Sequence, residues 1–303
     1  MVAHMSSSPT IDIDAFEEQR PLLFGVAYRM LGSATEAEDI VQDAYLRSRT
    51  VEAAEVRSLR SYLVTVVTRL CLDQLKSAHT RREHYVGPWL PEPILTEGVP
   101  QPASPEGVLQ ARESISFAFL VLLESLAPIE RAVFLLREVL GYGYDELATI
   151  VGKSQDACRQ IFRRARLRLD ERRPRYEANR QERQRLTELF IRAVTSGDMN
   201  GLVSLLADDI VLTSDGGGKV AAALKPVSGI ERAAKLIIAL ASKPAYQSLE
   251  YAFIEIRDVN GEPGIVLRSS ERRVTNVMSF ELDAAGRIRQ LFVMRNPDKI
   301  SHI

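Results

Sequence analysis

The chain has 303 residues, which is enough for two or three small domains. Its hydrophobic content of 46% and charged content of 26% are typical of a globular protein. No run approaches the roughly 18 apolar residues of a membrane span, and no signal peptide is visible, so we expect a cytoplasmic protein. The two cysteines and four histidines have no ligand spacing between them, so we expect no metal site and no cofactor.

The first predicted domain is all-helical. Apolar residues at three- and four-residue spacing predict a helix over 13–31, and Gly32 is expected to end it. Ser33 or Thr35 begins a second helix, because hydroxyl side chains cap helix N-termini. A third helix is predicted over 59–78, where apolar residues are dense enough for a core helix.

The second predicted helix, residues 35–47, is acidic. Ile40, Val41 and Ala44 are expected to face the core. From the residues alone, the opposite side is typical of a solvated helix face, with a docking surface as the alternative. The polar residues near this side are Glu36, Asp39, Gln42, Asp43 and Arg47.

The third predicted helix and its end form a strip of positive charge with a single acid, Asp73. Such a strip can follow the phosphates of a nucleic acid. Tyr62 and Tyr85 are rings on which an unstacked base could lie, although Tyr62 is on the apolar stripe, which favours a place in the core. The basic residues are Arg57, Arg60, Arg69, Lys76, Arg81 and Arg82.

Residues 84–111 interrupt the helical pattern. Six prolines lie within the eighteen positions 88–105, and a helix cannot persist through that density, so the stretch is predicted to be an extended linker. It contains Trp89, the only tryptophan of the chain. Because a proline-fixed backbone loses little entropy on docking, we expect Trp89 to anchor an interface rather than to pack locally. Helix is predicted to resume over 105–124.

A helix-turn-helix pattern follows. The spacing predicts helices over 128–139, 144–150 and 155–170, with a turn at Gly152 and an N-cap at Ser154. In this motif the second helix of the pair enters the major groove of DNA.

The last helix of that pattern is rich in arginine. Residues 126–175 contain eleven Lys and Arg against seven Asp and Glu, a charge of +4 that the chain total of −1 conceals. Arginine can donate two hydrogen bonds to guanine, and glutamine can bond to adenine in the same way. A solvated basic face is the alternative. The candidate DNA-binding residues are Ser154, Gln155, Arg159, Gln160, Arg163, Arg164 and Arg166.

The pattern changes again from about residue 176. Helices are predicted over 178–196, 198–207 and 229–242. Asn260-Gly261 and 283–286 are hairpin signals, so we expect an antiparallel sheet and an α+β domain. The predicted strands are 209–213, 219–227, 249–257, 264–270, 274–282 and 287–295.

The ordered set of segments 36–47, 59–77 and 159–169 resembles the extracytoplasmic-function sigma factors of bacterial RNA polymerase. The resemblance implies a multidomain fold with two all-α sigma domains, the second of them the helix-turn-helix. The rest of the chain is similar to the SnoaL-like group of the NTF2 superfamily, an α+β cone. The implied sigma region 2, proline-rich linker, sigma region 4 and SnoaL-like domain are residues 11–83, 84–111, 112–175 and 176–303.

The resemblance also implies partners. Such proteins bind the RNA polymerase core and promoter DNA, and they are not enzymes. The acidic helix would then dock on the polymerase. The basic strip with Tyr62 would contact the −10 element, and the arginine-rich helix would read the −35 element.

Three short motifs resemble the signatures of a sigma subgroup with a fused SnoaL-like extension. In that subgroup the extension is held to control sigma activity in cis, so we expect the three motifs to form one contact region. They are Trp89, Leu90, Pro91, Glu92 and Pro93; then Asp215, Gly216, Gly217, Gly218 and Lys219; and then Asn296, Pro297, Asp298 and Lys299.

Two other classes of protein fit parts of the sequence. A ligand-responsive helix-turn-helix regulator would bind DNA alone. A cone-type enzyme would need an acid/base pair, but the last predicted domain has no histidine before His302. A phosphate-binding loop at 215–219 fails because Val220 follows Lys219 where Ser or Thr is required. Binding of an unknown small ligand stays open.

Overall fold

The computed structural model divides into two compact units. The first holds the described parts of 11–81 and 123–170, and the second holds those of 82–122 and 179–303. In the part of the chain that is described, no helix is long and apolar enough to cross a membrane. The described residues are 11–51, 56–82, 85–97, 116–170, 179–242 and 253–303.

Three helices open the first unit. Helix α1 spans Ile13–Leu31 and ends at Gly32, as predicted. Helix α2 spans Ala34–Ser48, and the Ser33 hydroxyl caps it by accepting an amide of the first turn at 3.1 Å. Helix α3 spans Leu59–Arg82, four residues beyond the predicted end. Buried apolar side chains of all three helices form their shared core.

The helix-turn-helix lies in the same unit. Helix α4 (Phe117–Leu123) precedes it in the chain but belongs to the second unit up to Leu122. The helix predicted over 128–139 has two parts. Its first part is α5 (Pro128–Phe134), and its last turn (Leu135–Val139) is π-helical because the Leu140 amide bonds to the Leu135 carbonyl at 3.2 Å. The motif itself then consists of α6, Tyr144–Val151, and α7, Gln155–Asp170.

In its described residues, the second unit contains α4 up to Leu122, four further helices and one sheet. The three helices predicted from residue 176 onward are present. The start of the helix predicted over 105–124 lies outside the described residues. The helices are α8, Arg180–Ser196; α9, Met199–Leu205; α10, Ile230–Ala241; and α11, Pro297–Ile300. The strands are β1, Leu206–Asp215; β2, Val227–Ser228; β3, Phe253–Val259; β4, Glu262–Arg268; β5, Val274–Leu282; and β6, Ile288–Met294.

The sheet has the order β2-β1-β6-β5-β4-β3. Asn260 and Gly261 form the β3–β4 hairpin turn with positive φ of 53° and 80°, as their sequence predicts. The expected all-antiparallel sheet is wrong at one position, because β1 pairs with β6 in parallel. Hairpin signals fix only neighbouring strands, whereas β1 and β6 are far apart in sequence.

The predicted strand over 219–227 is also wrong. Only Val227–Ser228 is paired, and the first part of the strand predicted over 249–257 lies outside the described residues. The amide of Lys219 bonds back to the Gly216 carbonyl at 3.0 Å, and the Ala223 amide bonds to the Ser214 hydroxyl at 2.8 Å. These bonds hold the chain after β1 in a loop, so it does not pair as a strand of the sheet.

The sheet buries both faces. One face packs with α8, α9 and α10 around Leu212, Leu291 and Val293. The opposite face contacts Leu90 of the linker and Phe117 of α4. Because side chains alternate along a strand, β4, β5 and β6 each contribute to both cores.

Candidate functional site

The exposed side of α2 carries the predicted acidic residues. Asp39, Gln42 and Asp43 are exposed. Leu46 lies one helical turn after Gln42 and Asp43 on the same side and is 56% exposed. Leu46 is not among the residues predicted for this surface. Its spacing of seven residues, two helical turns, from Asp39 is the sequence signal for a place on this side. The exposed face therefore combines negative charge with an apolar side chain.

The two other residues predicted for this surface are placed differently. Glu36 is half-buried and accepts a hydrogen bond from Gln74 of α3 at 3.3 Å. Arg47 is exposed in the last turn of α2, where a positive charge is favourable. Arg47 is thus available to a partner, while Glu36 is engaged within the unit.

The residues of the predicted basic strip on α3 have different surroundings in the structure. Arg60 and Lys76 are exposed, and Lys76 pairs with Asp73 at 2.8 Å. Tyr62 is half-buried. The side chains of Arg81 and Arg82 lie outside the described residues.

Arg69 contacts the helix-turn-helix. Its Nε donates to the Ile150 carbonyl at 3.1 Å, and its Nη2 donates to the Thr149 carbonyl at 2.9 Å. These carbonyls end α6, where the helix dipole favours a cation. Two donors of the Arg69 guanidinium are thus engaged within the first unit.

A second contact ties α1 to α5. Arg131 is only 3% exposed and donates to the Met30 carbonyl at 2.6 Å, while it pairs with Glu124 at 2.7 Å. Removing one partner of a buried ion pair typically costs about 3–5 kcal/mol. The first three helices and the helix-turn-helix are thus held together by buried as well as exposed arginines.

Helix α7 presents the predicted DNA-binding residues to solvent. Gly152 ends α6, and the Ser154 hydroxyl accepts the Ala157 amide at 3.2 Å, which caps α7. Arg159 pairs with Asp156 at 2.7 Å and lies over the Tyr144 ring. All of the predicted residues are exposed: Ser154, Gln155, Arg159, Gln160, Arg163, Arg164 and Arg166.

The exposed side chains of α7 form two strips. At about 100° per residue, Gln155, Arg159, Arg163 and Arg166 lie within an arc of roughly 80°. Gln160 and Arg164 lie farther around the helix, and the apolar side faces the core. The first strip has the width of a surface that could enter a groove.

Within the second unit, the linker meets the α+β domain at a buried carboxylate. Asp215, which ends β1, has no solvent exposure. Its oxygens accept the Leu90 amide at 2.9 Å, the Tyr85 hydroxyl at 2.6 Å and the Gly217 amide at 2.9 Å, and they pair with Lys299 at 2.8 Å. This set of donors, the Asp215 cluster, compensates the cost of burying the charge.

The Lys299 ammonium connects the tail to the linker. It lies 4.1 Å from the centre of the Trp89 ring and donates to the Leu90 carbonyl at 2.6 Å. Asn296 donates to the Tyr85 hydroxyl at 2.9 Å. Burial, together with the hydrogen bond to Asp215, raises the pKa of Tyr85, so its hydroxyl stays a donor to the carboxylate.

The glycine motif fits closely against the tail. Gly217 has a φ of 61°, and a Cβ there would lie 2.6 Å from Cγ of Asn296. Any other residue would be strained and would clash. Lys219 pairs with Asp298 at 2.7 Å at the exposed edge of this contact. The structure thus brings together all three motifs that were named from the sequence.

The remaining motif residues continue the contact along the linker. Leu90, Pro91, Glu92 and Pro93 are buried. The His302 ring lies 3.2 Å from Glu92, and 3.2 Å from the Pro93 carbonyl. Farther along, Leu95 forms a bridge with Val259, which holds the linker against the β3–β4 hairpin.

Several partners in this contact region are not predicted from the sequence. Tyr85 was named as a base-stacking ring, but its hydroxyl bonds to Asp215. Arg257 pairs with Glu97 at 2.5 Å, and the Ile94 amide bonds to the Asn260 side chain at 3.2 Å. These pairs are more than 125 residues apart in sequence, so no local spacing could reveal them.

No metal site is present in the residues that the structure describes, because no group of three potential ligands converges there. Cys71 and Cys158 are buried free thiols. Burial raises the pKa of both thiols, which keeps them protonated and unreactive.

Family models match the two helical parts of the chain: sigma-70 region 2 matches residues 15–81, and sigma-70 region 4 matches residues 116–169. The ECF RNA polymerase sigma factor SigJ of Mycobacterium tuberculosis is 33% identical, covering 96% of this chain and 94% of that protein. The probable ECF sigma factor SigI of the same species is 30% identical, covering 94% and 93%.

A solved structure resembles the chain over nearly its full length. The crystal structure of M. tuberculosis extracytoplasmic function sigma factor SigJ has a TM-score of 0.73 and 30% identity, and it covers 95% of this chain and 98% of that one. Helical sigma regions followed by an α+β domain are thus the fold, as predicted. The chain belongs to the extracytoplasmic-function sigma factors, which direct transcription initiation by RNA polymerase.

Proposed function

We propose that the carboxyl-terminal α+β domain controls transcription initiation by this sigma factor in cis, by holding the linker between its two sigma regions. The observation that carries the proposal is the Asp215 cluster, in which a buried carboxylate binds the linker backbone at Leu90. In the same proposal, α2 docks on the polymerase core, α3 contacts the −10 element and α7 reads the −35 element.

The polymerase surface is the exposed side of α2. Negative charges on Asp39 and Asp43 would steer the helix to a basic partner, and Leu46 would bury apolar area on docking. A combination of an apolar anchor and surrounding charge is common at protein interfaces. Both features support α2 as the docking element.

The promoter surface is the exposed side of α7. The N-terminal residues of a recognition helix contact base edges, and Gln155 and Arg159 occupy that place. Arg163 and Arg166 extend the same strip. Their exposure supports a role in DNA binding rather than in packing.

Control would act through the reach of the linker. A sigma factor has to place its two DNA-binding regions a fixed distance apart, because the −10 and −35 elements are fixed on the duplex. Residues 85–97 lie against the sheet, so this part of the linker is not free to extend. Phe117, within the segment matched by region 4, packs on Phe292 of the same sheet with ring centres 5.5 Å apart.

The test is transcription from a promoter of this sigma factor with core polymerase and full-length variants. Trp89→Ala, Gly217→Val and Lys299→Ala each disturb one of the three motifs, so we expect changes in the same direction that do not add when combined. Lys225→Ala is the matched control, because Lys225 is an exposed lysine in the loop that follows the glycine motif.

Two results would overturn cis control. One is full additivity of the three changes, or opposite signs among them, since independent effects do not describe one contact region. The other is an effect of Lys225→Ala as large as that of Lys299→Ala. Circular dichroism on each variant separates loss of control from loss of folding.

A further inference from the structure

A cavity of about 310 Å³ lies on the face of the sheet opposite to the Asp215 cluster. Helices α8 and α10 cover it, and the loop that follows β1 closes one side. Most of its lining is apolar. Residues that define its shape include Phe190, Leu236, Leu240, Met278, Ser214 and Arg295.

We propose that this cavity binds an aliphatic carboxylic acid of about ten to twelve carbons, and that the bound acid acts on the linker contact. The size follows from a comparison: a cavity of about 150 Å³ holds benzene, so one of twice that volume holds on the order of a dozen carbon atoms. The apolar lining selects an alkyl chain or a similar hydrocarbon body.

Arg295 provides the group that would recognise the carboxylate. It is the only charged residue among the lining residues that the structure describes. A guanidinium binds a carboxylate through two parallel hydrogen bonds, and the interaction is stronger in an apolar site than in water. The same lining contains no carboxylate and no imidazole, so the cavity has no acid/base pair for turnover.

Both polar residues of the cavity hold the loop that carries the glycine motif. The Ser214 hydroxyl accepts the Ala223 amide at 2.8 Å, and Arg295 donates to the Ala221 carbonyl. A ligand carboxylate would compete with the Ala221 carbonyl for the guanidinium. Binding would therefore loosen the loop that begins with residues 216–219.

The strands carry this change through the sheet. Ser214 and Arg295 line the cavity, whereas the next residues, Asp215 and Asn296, belong to the linker contact on the opposite face. The Arg295 amide bonds to the Asp215 carbonyl at 2.8 Å, so the two strand ends are coupled directly. Release of the loop would alter the close approach of Gly217 to Asn296.

Trp89 makes the coupling measurable without transcription. It is the only tryptophan of the chain, and its ring lies against Lys299 in the linker contact. Its fluorescence therefore reports the linker contact, while calorimetry reports binding itself. The effect on the linker rests on the proposed cis control, whereas ligand binding does not.

The experiment titrates full-length protein with decanoate and, in parallel, with 1-decanol. We expect saturable one-to-one binding of decanoate with a change in Trp89 emission, and binding of the alcohol at least about tenfold weaker. Arg295→Met should remove the preference for the acid. Ala241→Phe, at the edge of the cavity, should weaken binding of both probes by filling space.

Each result decides a separate part of the proposal. Absence of saturable decanoate binding, or unchanged binding by Ala241→Phe, would overturn the cavity as the site. Equal affinity for acid and alcohol would overturn the role of Arg295. Saturable binding without a change in Trp89 emission would overturn the coupling. None of these results bears on the transcription effect of Lys299→Ala, so cis control fails or stands independently.

Discussion

Glu281 carries a buried carboxyl group on β5. The residue is 3% exposed, and its Oε1 has no hydrogen-bond partner within the described part of the chain. Burial raises the pKa of Glu281 to about 7, against a smaller opposing effect of Arg289. Below that pH the folded protein keeps this side chain protonated, whereas the unfolded chain releases the proton near pH 4.5.

The raised pKa of Glu281 determines the sign of its effect on the pH dependence of stability. Between about pH 4.5 and 7 the folded state binds more protons than the unfolded state at this group, so its contribution makes stability fall as pH rises. The loss is on the order of 3 kcal/mol across that window. Glu281→Gln should flatten this part of the profile and stabilise the protein at pH 8. Denaturant unfolding from pH 4.5 to 8 measures it, and an unchanged slope would contradict the prediction.

The residues of the Asp215 cluster show which side chains the sequence can and cannot identify. Trp89, Asp215 and Lys299 lie in recognisable motifs, so the resemblance to known sigma factors identifies them. Tyr85 and His302 stand in no motif, and their partners are more than a hundred residues away. Their roles follow from the folded chain alone.

At the level of elements, helices follow local signals closely. Gly32 and Gly197 end α1 and α8 where predicted, because cap residues act within one helical turn. Strands depend on pairing with distant segments. The run 219–227 has a strand-like composition but turns back on Gly216, and no local pattern indicates the parallel pairing of β1 with β6.

The exposed arginines of α7 lead us to expect a loss of promoter recognition when they are replaced. Arg159→Ala or Arg163→Ala should each weaken promoter-specific binding by the polymerase complex by about 1–3 kcal/mol, the usual loss for one base contact. Arg192→Ala serves as control, because Arg192 is an exposed arginine on α8. Affinities for promoter and scrambled duplexes provide the measurement. Equal losses on both duplexes would mean that α7 binds phosphates without reading bases.

We expect replacement of Arg69 to increase the mobility of the end of α6. Arg69→Ala removes both bonds to the carbonyls of Thr149 and Ile150, so amides in the last turn of α6 should exchange hydrogen faster in the free protein. Lys76→Ala is the control on the same helix, since the Lys76 ammonium pairs with Asp73, one turn away on α3, at 2.8 Å. Hydrogen-exchange mass spectrometry compares the two variants. If exchange at 148–151 is the same in both, the Arg69 contact does not hold the helix.

The whole molecule combines opposite local charges in a nearly neutral chain. Residues 126–175 have a net charge of +4, whereas the total is −1. Affinity for duplex DNA depends strongly on the number of phosphates that a protein neutralises. A modest basic module, with Arg69 held by α6, offers few such contacts before polymerase binds.

We therefore expect tight promoter binding only with core polymerase. The purified chain should bind a promoter duplex weakly and with little sequence preference, while its complex with core should bind specifically. Reversing the charge of α2 with Asp39→Arg and Asp43→Arg should weaken core binding and, with it, promoter binding. Titrations of labelled chain with core, and of labelled promoter with and without core, measure both steps at fixed salt. Specific, tight promoter binding without core would instead favour a helix-turn-helix regulator that acts alone. Unchanged affinity for core after the charge reversal would place the docking surface elsewhere than on α2.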